Sequence, residues 1–477
     1  MRALSDEPQA SRPAGRRSAG RPRTLDAAPA SLAHVLALIR DQDADTRPDI
    51  ELASGLSRAA VVDRLAVLTA LGLIEEAGTG RSTGGRAPKR LAFRADAGAI
   101  LVAAADRSSI AVGAADLRGH VFAEHHEAAD FSAGAAAILD RLTTLLLWLI
   151  EDHGGKDSIW GIGLALPGPV YPSDANPMAH DDDWREIDLA AELAYRIGAP
   201  AWIRSGTEMM TVGEMKAGDG APDMLFVKLG RSITAGVVIN GRLHRGAQGV
   251  AGMIGHAQSS GTVEAACRCG KRGCLESIVG ADAIARMGRE AARNGGSRFL
   301  ADILARSGDV TVADVANGAQ LGDAFCAELA ARCGRLLGES LAPLASLLNP
   351  SVIVLGGSIM QAGDILLAAL REAVYRDAHP LVTRDLRIVR SRMGGSSGLI
   401  GAAQLAAVEL FLPEMVQLWI PHGSPRRLPE LATLAAAARA RHRLEARKVP
   451  PPAAYRPNGP QSPSTTMDGR IHVPDRA

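Results

Sequence analysis

Four side chains that can bind a metal lie close together near the middle of the sequence. They are His256, Cys267, Cys269 and Cys274, which fall within nineteen residues in the spacing H-x10-C-x-C-x4-C. Imidazole and thiolate are the usual zinc ligands, and four of them complete a tetrahedral structural site that has no open position for a substrate. Gly270 and Gly273 permit the tight turns that so short a loop needs. We therefore expect a structural zinc ion at this site.

A second pattern, nearer the N-terminus, is typical of a DNA-binding head. Residues 31–40 carry apolar side chains at helical spacing, and a short helix over 48–53 is followed by the turn 54–56. Ser57 is a good N-cap for a third helix over 58–71, which turns Val61, Val62, Leu65 and Leu68 inward. Two helices joined by a tight turn form a helix-turn-helix, whose second helix enters the major groove of DNA.

The segment that follows predicts a wing, a hairpin with a long glycine-rich tip at 78–88. Between residues 77 and 94 there are five basic residues and no acidic one. Such a tip can follow the phosphate backbone or the minor groove of DNA. We expect contacts to bases from Arg58, Ala59, Ala60 and Arg64, and contacts to backbone or minor groove from Ser57, Arg81, Arg86 and Lys89. The alternative is a small three-helix protein-interaction domain with a basic loop.

Composition limits the remaining possibilities. The chain has 477 residues, 47% of them hydrophobic and 22% charged, with a formal net charge of +1. Its longest apolar runs, such as 145–150, fall far short of the roughly 20 residues that span a bilayer. No apolar segment follows the N-terminal arginines, so we expect a bacterial cytoplasmic protein that does not bind a membrane. Cys326 and Cys333, seven residues apart on an apolar helix, are expected in the core.

The two ends differ from the rest of the chain. Residues 1–30 have a net charge of +3 and are predicted to be a disordered basic tail, in which Gly-Arg-Pro-Arg at 20–23 is similar to a minor-groove hook. Residues 421–477 have a net charge of +6 and are predicted to be a mostly disordered Pro/Arg-rich tail. Within that tail, Pro429–Lys448 is compatible with a solvent-exposed helix. Between the winged head at 31–95 and this tail, 97–412 alternates strand-like runs with amphipathic helices, which indicates an α/β domain.

These residues resemble the ROK family of repressors, open reading frames and kinases. The family's zinc signature C-x-C-G-x-x-G-C-L-E is complete at 267–276, and the element before it, A-G-E-x-G-H, corresponds to 251–256. Further matches are GIGLALPGPV at 161–170 and NPSVIVLGG at 349–357. In the head, Leu-Ser-Arg at 56–58 and Gly-Gly-Arg at 84–86 are similar to the family's sugar-responsive repressors. Across 31–412, the resemblance implies an N-terminal winged helix-turn-helix on a two-lobed actin-like ATPase (ROK) domain that binds sugar in its cleft.

The kinase motifs of that family are degenerate in this chain. The first phosphate loop, D-x-G-G-T in family kinases, corresponds to DRSSI at 106–110, and the second, G-T-G-I-G, corresponds to GRSIT at 230–234, where Arg231 could fill the vacated space. Gly206 stands where the resemblance implies the catalytic Asp, and glycine cannot accept a proton. Glu208 is the one nearby carboxylate that could substitute as the base, but it is displaced by two residues from that position. We therefore expect no catalytic residues and no kinase activity.

The resemblance also implies a sugar site that has lost most of its polar groups. The family's hexose-binding positions correspond to Ser205, Gly206, Met253, His256 and Glu276. Only His256 and Glu276 retain the family's residue types, so these two are the expected effector-binding residues. Unpaired hydroxyl groups in a polar pocket cost binding energy. Either the effector is a carbohydrate-like molecule other than an ordinary hexose, or the protein has no small effector.

These inferences together predict a ROK-family transcriptional regulator, a repressor of carbohydrate-related genes, whose degenerate kinase domain serves as effector domain or scaffold. A homodimer or homotetramer is expected to bind a palindromic operator in double-stranded DNA, because symmetric subunits present two recognition helices. Two alternatives remain open. One is a sugar kinase fused to a DNA-binding head, and the other is a regulator controlled by a protein partner.

Overall fold

The computed structural model describes residues 27–79, 88–106, 109–129, 134–152, 155–168, 187–217, 220–259 and 265–448. The first of these segments form a small head of three helices and a two-stranded antiparallel hairpin. Its elements are α1 (Ala27–Arg40), α2 (Arg47–Ser54), α3 (Arg58–Ala70), β1 (Ile74–Thr79) and β2 (Lys89–Phe93).

Local capping fixes the turn between α2 and α3. Gly55, at φ +65°, ends α2 by donating its backbone N–H to the carbonyl of Glu51. The side-chain oxygen of Ser57 then accepts a hydrogen bond from the N–H of Ala60 at 3.3 Å, as the predicted N-cap requires. Val61, Leu65 and Leu68 are buried, as predicted, but Val62 is 41% exposed and the prediction for that residue is wrong. In a helix of 3.6 residues per turn, adjacent positions 61 and 62 cannot both face the same narrow core.

The body contains two five-stranded sheets with the same strand order. The first sheet runs β5-β4-β3-β6-β7, in which β3, β4 and β5 are antiparallel neighbours and β6 and β7 run parallel to β3. Its elements, with their connecting helices, are β3 (Ala99–Asp106), β4 (Ser109–Asp116), β5 (Val121–Ala128), α4 (Ala135–Asp152), β6 (Ile159–Leu166), α5 (Leu189–Arg196) and β7 (Ala201–Ser205).

The second sheet repeats this arrangement as β10-β9-β8-β11-β12. Its strands are β8 (Met224–Leu229), β9 (Ile233–Ile239), β10 (Arg242–His244), β11 (Val352–Gly356) and β12 (Arg387–Arg390). The helices of this lobe are α7 (Leu275–Val279), α8 (Ala281–Arg293), α9 (Arg298–Ser307), α10 (Val312–Gln320), α11 (Ala324–Leu348), α12 (Gly363–Asp377) and α13 (Pro380–Thr383). Helix α6 (Gly206–Ala217) joins the two lobes.

After the second lobe the chain returns to the first and continues to the head. Helix α14 (Ser397–Leu410) packs on α6, β6 and β3, and α15 (Pro413–Trp419) packs on α1. The ring of Phe411 lies 5.4 Å from that of Phe93 in the wing and 6.2 Å from that of Trp419, whose ring lies 5.3 Å from that of Trp160 in the first sheet. The head therefore shares one continuous hydrophobic core with the first lobe.

The folded part of the chain extends beyond the boundary predicted at residue 412. Helix α16 (Pro429–Lys448) forms where an exposed helix was predicted, but it packs on α5 rather than projecting into solvent. Leu431 and Ala438 are buried and Leu434 is partly buried, at spacings i, i+7 and i+3 that make one apolar face. The predicted mostly disordered tail thus differs from the structure over 421–448. At the other end α1 begins at Ala27, so residues 27–30, predicted as part of the basic tail, are helical. Residues 1–26 and 449–477, the remainder of the two predicted tails, lie outside the described residues.

Within the described part of the chain, no single helix is long and apolar enough to cross a membrane. The segments Gly394–Leu410 and Pro413–His422 reach that length only as a pair, bent by 69° at their junction.

Candidate DNA-binding head and ligand cleft

The four predicted metal ligands meet at one point in the second lobe. Their ligand atoms all lie within 4.8 Å of one another, with His256 Nδ1 at 3.5 Å from Cys267 Sγ and Cys269 Sγ at 3.6 Å from Cys274 Sγ. Gly270 and Gly273 have φ angles of +84° and +73°, the left-handed turns that only glycine adopts without strain.

The donor set fits a tetrahedral metal site. Four sulfur and nitrogen ligands about 2.0–2.3 Å from a central zinc lie a little under 4 Å apart, close to the observed spacing. Burial raises the pKa of Cys267, and it raises the pKa of Cys274 to about 12. Thiolates in such surroundings need a neighbouring cation, which a metal supplies. Cys326 and Cys333 lie buried in α11, where burial raises the pKa of each to about 12.

A cleft lies beside this cluster and is lined by both lobes. Its walls include the ends of β3 and β6, the first turn of α6, strands β8 and β9, and the segment from β10 to the metal loop, which is the segment between His256 and Cys274 that carries the four ligands. His256 and Glu276, the two expected effector-binding residues, both line it, as do Ser205, Gly206 and Met253. The five positions implied by the resemblance are therefore brought together in space.

The carboxylate of Glu208 has partners on both of its oxygens. Oε2 accepts hydrogen bonds from the backbone N–H and the hydroxyl of Ser205 at 3.2 and 3.0 Å, and Oε1 pairs with Arg245 Nε at 2.6 Å. Beside it, a Cβ on Gly206 would come no closer than 3.6 Å to the carbonyl of Leu166. A Cβ at this position would therefore make an ordinary contact and no clash.

Glu276 is likewise engaged by protein groups. It is 9% exposed, its Oε2 accepts the backbone N–H of Ile233 at 3.0 Å, and its Oε1 pairs with Arg268 Nε at 3.0 Å. Arg268 also donates from Nη2 to the hydroxyl of Ser232 at 2.9 Å. This arginine ties the metal loop to the second phosphate-loop segment across the wall of the cleft.

At the two phosphate-loop segments the structure holds an ion pair between the lobes. Lys228 Nζ in β8 lies 3.2 Å from Asp106 Oδ1 at the end of β3. Arg231, which the sequence suggested as a filler of the phosphate site, instead pairs with Asp282 at 2.8 Å and does not line the cleft. Residues 107 and 108 lie outside the described residues.

Sequence reasoning missed two of the cations in the cleft, Lys228 and Arg245. Lys228 had a signal, because it is the one charged residue of the otherwise apolar strand MLFVKL. Arg245 directly follows β10 and had none, since nothing in the spacing of a surface loop indicates which residue it will face.

In the head, the expected base-contacting residues lie at the start of α3. Arg58 and Ala59 are exposed and Ala60 is half-buried. Arg64 is half-buried and donates from Nε to the hydroxyl of Ser31 in α1 at 2.8 Å, so part of its guanidinium is committed to the head's own fold.

The residues expected at the DNA backbone are divided between α3 and the wing. Ser57 is exposed before α3, and Lys89 at the start of β2 is exposed and pairs with Glu76 across the hairpin. Arg81 and Arg86 lie outside the described residues.

The comparisons with known proteins agree with this architecture. Residues 107–409 match the sequence profile of the ROK family, and the chain belongs to that family, as the resemblance predicted. A glucokinase of Halalkalibacterium halodurans is 34% identical over 257 residues, which are 53% of this chain and 78% of the relative. A xylose repressor of Caldicellulosiruptor bescii is 25% identical over 390 residues, which are 80% of this chain and 96% of the relative. The crystal structure of a ROK family transcriptional regulator, a homolog of the E. coli MLC protein, shares the fold with a TM-score of 0.68, at 22% identity over 83% of this chain and all of the other.

Proposed function

We propose that this protein is a transcriptional repressor that binds operator DNA through its head and responds to a carbohydrate-like ligand in its cleft. One observation carries the proposal: a helix-turn-helix with a basic, exposed start to its second helix is built into the core of a ROK-family body. The xylose repressor matches about four fifths of the chain, whereas the glucokinase matches about half, which supports a regulator over a kinase.

In this proposal α3 enters the major groove with Arg58, Ala59 and Ala60 at the base edges. The guanidinium of Arg58 makes no hydrogen bond or ion pair with the described residues, so its five donors are available for a guanine. Arg64 is expected to contribute less to base contacts, because its Nε donates to the hydroxyl of Ser31. Ser57 and Lys89, together with Arg81 and Arg86, contact phosphate or the minor groove. Two heads of a homodimer or homotetramer bind a palindromic site.

The ligand signal has a packed route from the cleft to the head. Helix α6 begins in the cleft at Gly206, and its backbone touches that of α14, where a Cβ on Gly401 would lie 1.6 Å from the carbonyl of Met209. Helix α14 leads through Phe411 to α15 and α1. Because helices in backbone contact move together, a shift of α6 reaches the head.

Zinc is the metal we assign to His256, Cys267, Cys269 and Cys274. It would hold the loop that carries His256 and Arg268 into the cleft wall, which supports a structural rather than a catalytic part. The same loop ends at Glu276, so the metal would hold in place both residues that the resemblance implies at the effector site.

Sugar phosphorylation is the second candidate, favoured by the glucokinase relative. Three features oppose it: no side chain at Gly206 can take a proton, Glu208 is paired with Arg245, and Lys228 lies against the carboxylate of the first phosphate loop. A coupled assay with ATP and a panel of hexoses and amino sugars is expected to show no turnover. Turnover that Glu208→Gln abolishes would establish the kinase instead.

Capture and sequencing of genomic fragments tests the repressor directly. At one fixed salt concentration, because phosphate contacts make affinity steeply salt-dependent, the wild type is expected to enrich a few palindromic sites. Arg58→Ala is expected to lose that enrichment, whereas Arg298→Ala, an exposed arginine at the start of α9 in the second lobe, retains it. Enrichment equal for both variants, or none for the wild type, contradicts the proposal.

A further inference from the structure

The charges of the cleft point to a class of ligand. Three carboxylates line it, those of Asp106, Glu208 and Glu276, and each has a cation of the protein as its partner. These partners are Lys228, Arg245 and Arg268, which line the same cleft. His244 and His256 also line it. The carboxylates of this set are largely engaged by protein groups, whereas the cations keep unused hydrogen-bond donors.

The carboxylates have little left to offer a ligand. Both oxygens of Glu208 are engaged, by Ser205 and Arg245, and both oxygens of Glu276 are engaged, by Ile233 and Arg268. Asp106 pairs with Lys228. A neutral sugar, whose hydroxyls donate to carboxylates, would find the charge of each carboxylate already compensated by a protein cation, which weakens it as an acceptor.

The cations retain donors. The side chain of Arg245 is 44% exposed and uses only Nε toward Glu208, while its two terminal nitrogens make no hydrogen bond with the described residues. Lys228 has three donors and one carboxylate partner. Of the lining hydroxyls, that of Ser205 already donates to Glu208, and those of Thr207 and Thr234 lie 2.6 Å apart and hydrogen-bond each other, so the free donors belong mainly to the cations. The cleft is rich in donors and poor in free acceptors.

Two positions strengthen this imbalance. Gly206 offers no side-chain acceptor where the resemblance implies an aspartate, and Met253 offers a thioether where it implies a glutamate. Both changes remove negative charge from the cleft. A ligand that brings its own acceptors, and its own negative charge, complements what remains.

We propose that the cleft binds an anionic carbohydrate, a sugar acid or a sugar phosphate, whose carboxylate or phosphate is held by the terminal nitrogens of Arg245. The planar fork of a guanidinium matches either oxyanion with two parallel hydrogen bonds. The inference rests on the proposed function, because it names the ligand class of the same cleft.

Calorimetric titration of the full-length protein tests the inference with four probes: glucose, glucuronate, glucose 6-phosphate and inorganic phosphate. At least one anionic sugar is expected to bind about tenfold or more tightly than glucose, and which of the two binds distinguishes a carboxylate from a phosphate ligand. Equal or tighter binding of glucose, binding of none of the four, or binding of inorganic phosphate as tight as that of the sugar phosphate overturns the inference.

Two variants with opposite expected effects identify the residue. Arg245→Gln is expected to weaken binding of the anionic sugar by about tenfold or more. Glu208→Gln is expected to tighten that binding, because it frees Arg245 and removes a like charge from beside the ligand. Arg242→Gln, an exposed arginine on β10 outside the cleft lining, serves as the matched control and retains binding.

Stability and DNA binding keep these outcomes interpretable. If Arg245→Gln lowers the melting temperature, Arg245→Lys replaces it as the test. This variant keeps the charge, and its affinity for the anionic sugar is expected to lie between those of the wild type and Arg245→Gln. Unchanged affinity in both Arg245 variants contradicts the assignment. Capture of operator DNA is measured separately. If the protein captures its operator but binds no anionic sugar, only this inference is wrong. If it captures no operator, the proposed repressor function is wrong.

Discussion

Cys269 lies at the middle of the metal loop, and its sulfur is 3.6 Å from that of Cys274. Replacing it with serine exchanges a soft thiolate for a hydroxyl that zinc binds poorly. We expect Cys269→Ser to lower bound zinc from about one ion per chain to a small fraction of that, and to lower the melting temperature and the affinity for operator DNA. Elemental analysis of the purified protein measures the metal.

The control for this substitution is Cys333→Ala, since Cys333 is a core cysteine of α11 away from the metal loop. It is expected to lose some stability through a small cavity and to keep its full zinc content. If Cys269→Ser retains zinc, folding and DNA binding, then neither the metal assignment nor its part in holding the cleft wall is correct.

Glu214 in α6 is a buried carboxylate whose protonation depends on the fold. Burial raises its pKa above the ordinary value of 4.5, against the opposing effect of a hydrogen bond donated by Ser391. Because the folded-state pKa is raised, its contribution to stability is full below about pH 4.5 and is lost as the pH rises through the folded value. Glu214→Gln is therefore expected to raise the melting temperature at pH 8 relative to the wild type.

The difference between the two proteins should shrink as the pH falls toward 4.5, where the native glutamate is itself protonated. Thermal unfolding across this range, at constant ionic strength, measures the effect. A difference that grows on acidification would mean that the ionised carboxylate is stabilised in the folded protein, which the burial of Glu214 does not predict.

The roles and partners of residues could be predicted from the sequence where they depend on nearby residues, and could not where they depend on residues distant in the chain. The metal ligands could be predicted because four rare side chains within nineteen residues have few uses other than zinc. The partner of Arg64 could not, because Ser31 lies thirty-three residues away on another helix. Arg245 illustrates the same limit: its partner Glu208 is thirty-seven residues away, across the cleft.

At the scale of elements, the junction of α14 and α15 joins the head to the body. Phe411 packs between Phe93 of the wing and Trp419, and the guanidinium of Arg40 lies 5.3 Å from its ring. The wild type is expected to unfold its head and first lobe in one transition, since they share one core. Phe411→Ala removes this contact at a cost of about 3–5 kcal/mol and is expected to separate the transitions.

Differential scanning calorimetry distinguishes the two cases. Phe122→Ala on the edge strand β5 is the matched control, because that ring is 54% exposed and its loss should leave a single transition. A separate transition of the head already present in the wild type would contradict a core shared with the first lobe, and with it the proposed route from cleft to head.

Helix α16 illustrates what a sequence predicts about an element and what it does not. Its alanine-rich composition predicts a helix, and the apolar residues Leu431, Leu434 and Ala438 form one face. The surface that covers this face is α5, whose buried Glu192 accepts a hydrogen bond from His442 at 2.9 Å. That carboxylate lies 250 residues earlier in the chain, so only the tertiary fold brings the pair together.

For the whole molecule, the α/β class of the body and the helices and hairpin of the head followed from periodicity, and the ROK family followed from its zinc signature. The identical strand order of the two sheets could not be predicted, because the two lobes show no repeated residue pattern in the sequence. The common core of head and body was also missed, since it requires α14 and α15, from the far end of the chain, to return to α1.

The central claim is that α3 reads DNA, and its most direct measurement is a pair of dissociation constants at one salt concentration. These are measured for a captured operator and for an unrelated duplex of equal length. The wild type is expected to prefer the operator by about 10³-fold or more. Arg58→Ala should lose about 1–3 kcal/mol on the operator alone, whereas Lys89→Ala should weaken both duplexes equally. Equal affinity of the wild type for both duplexes, or an operator affinity unchanged by Arg58→Ala, would contradict the account.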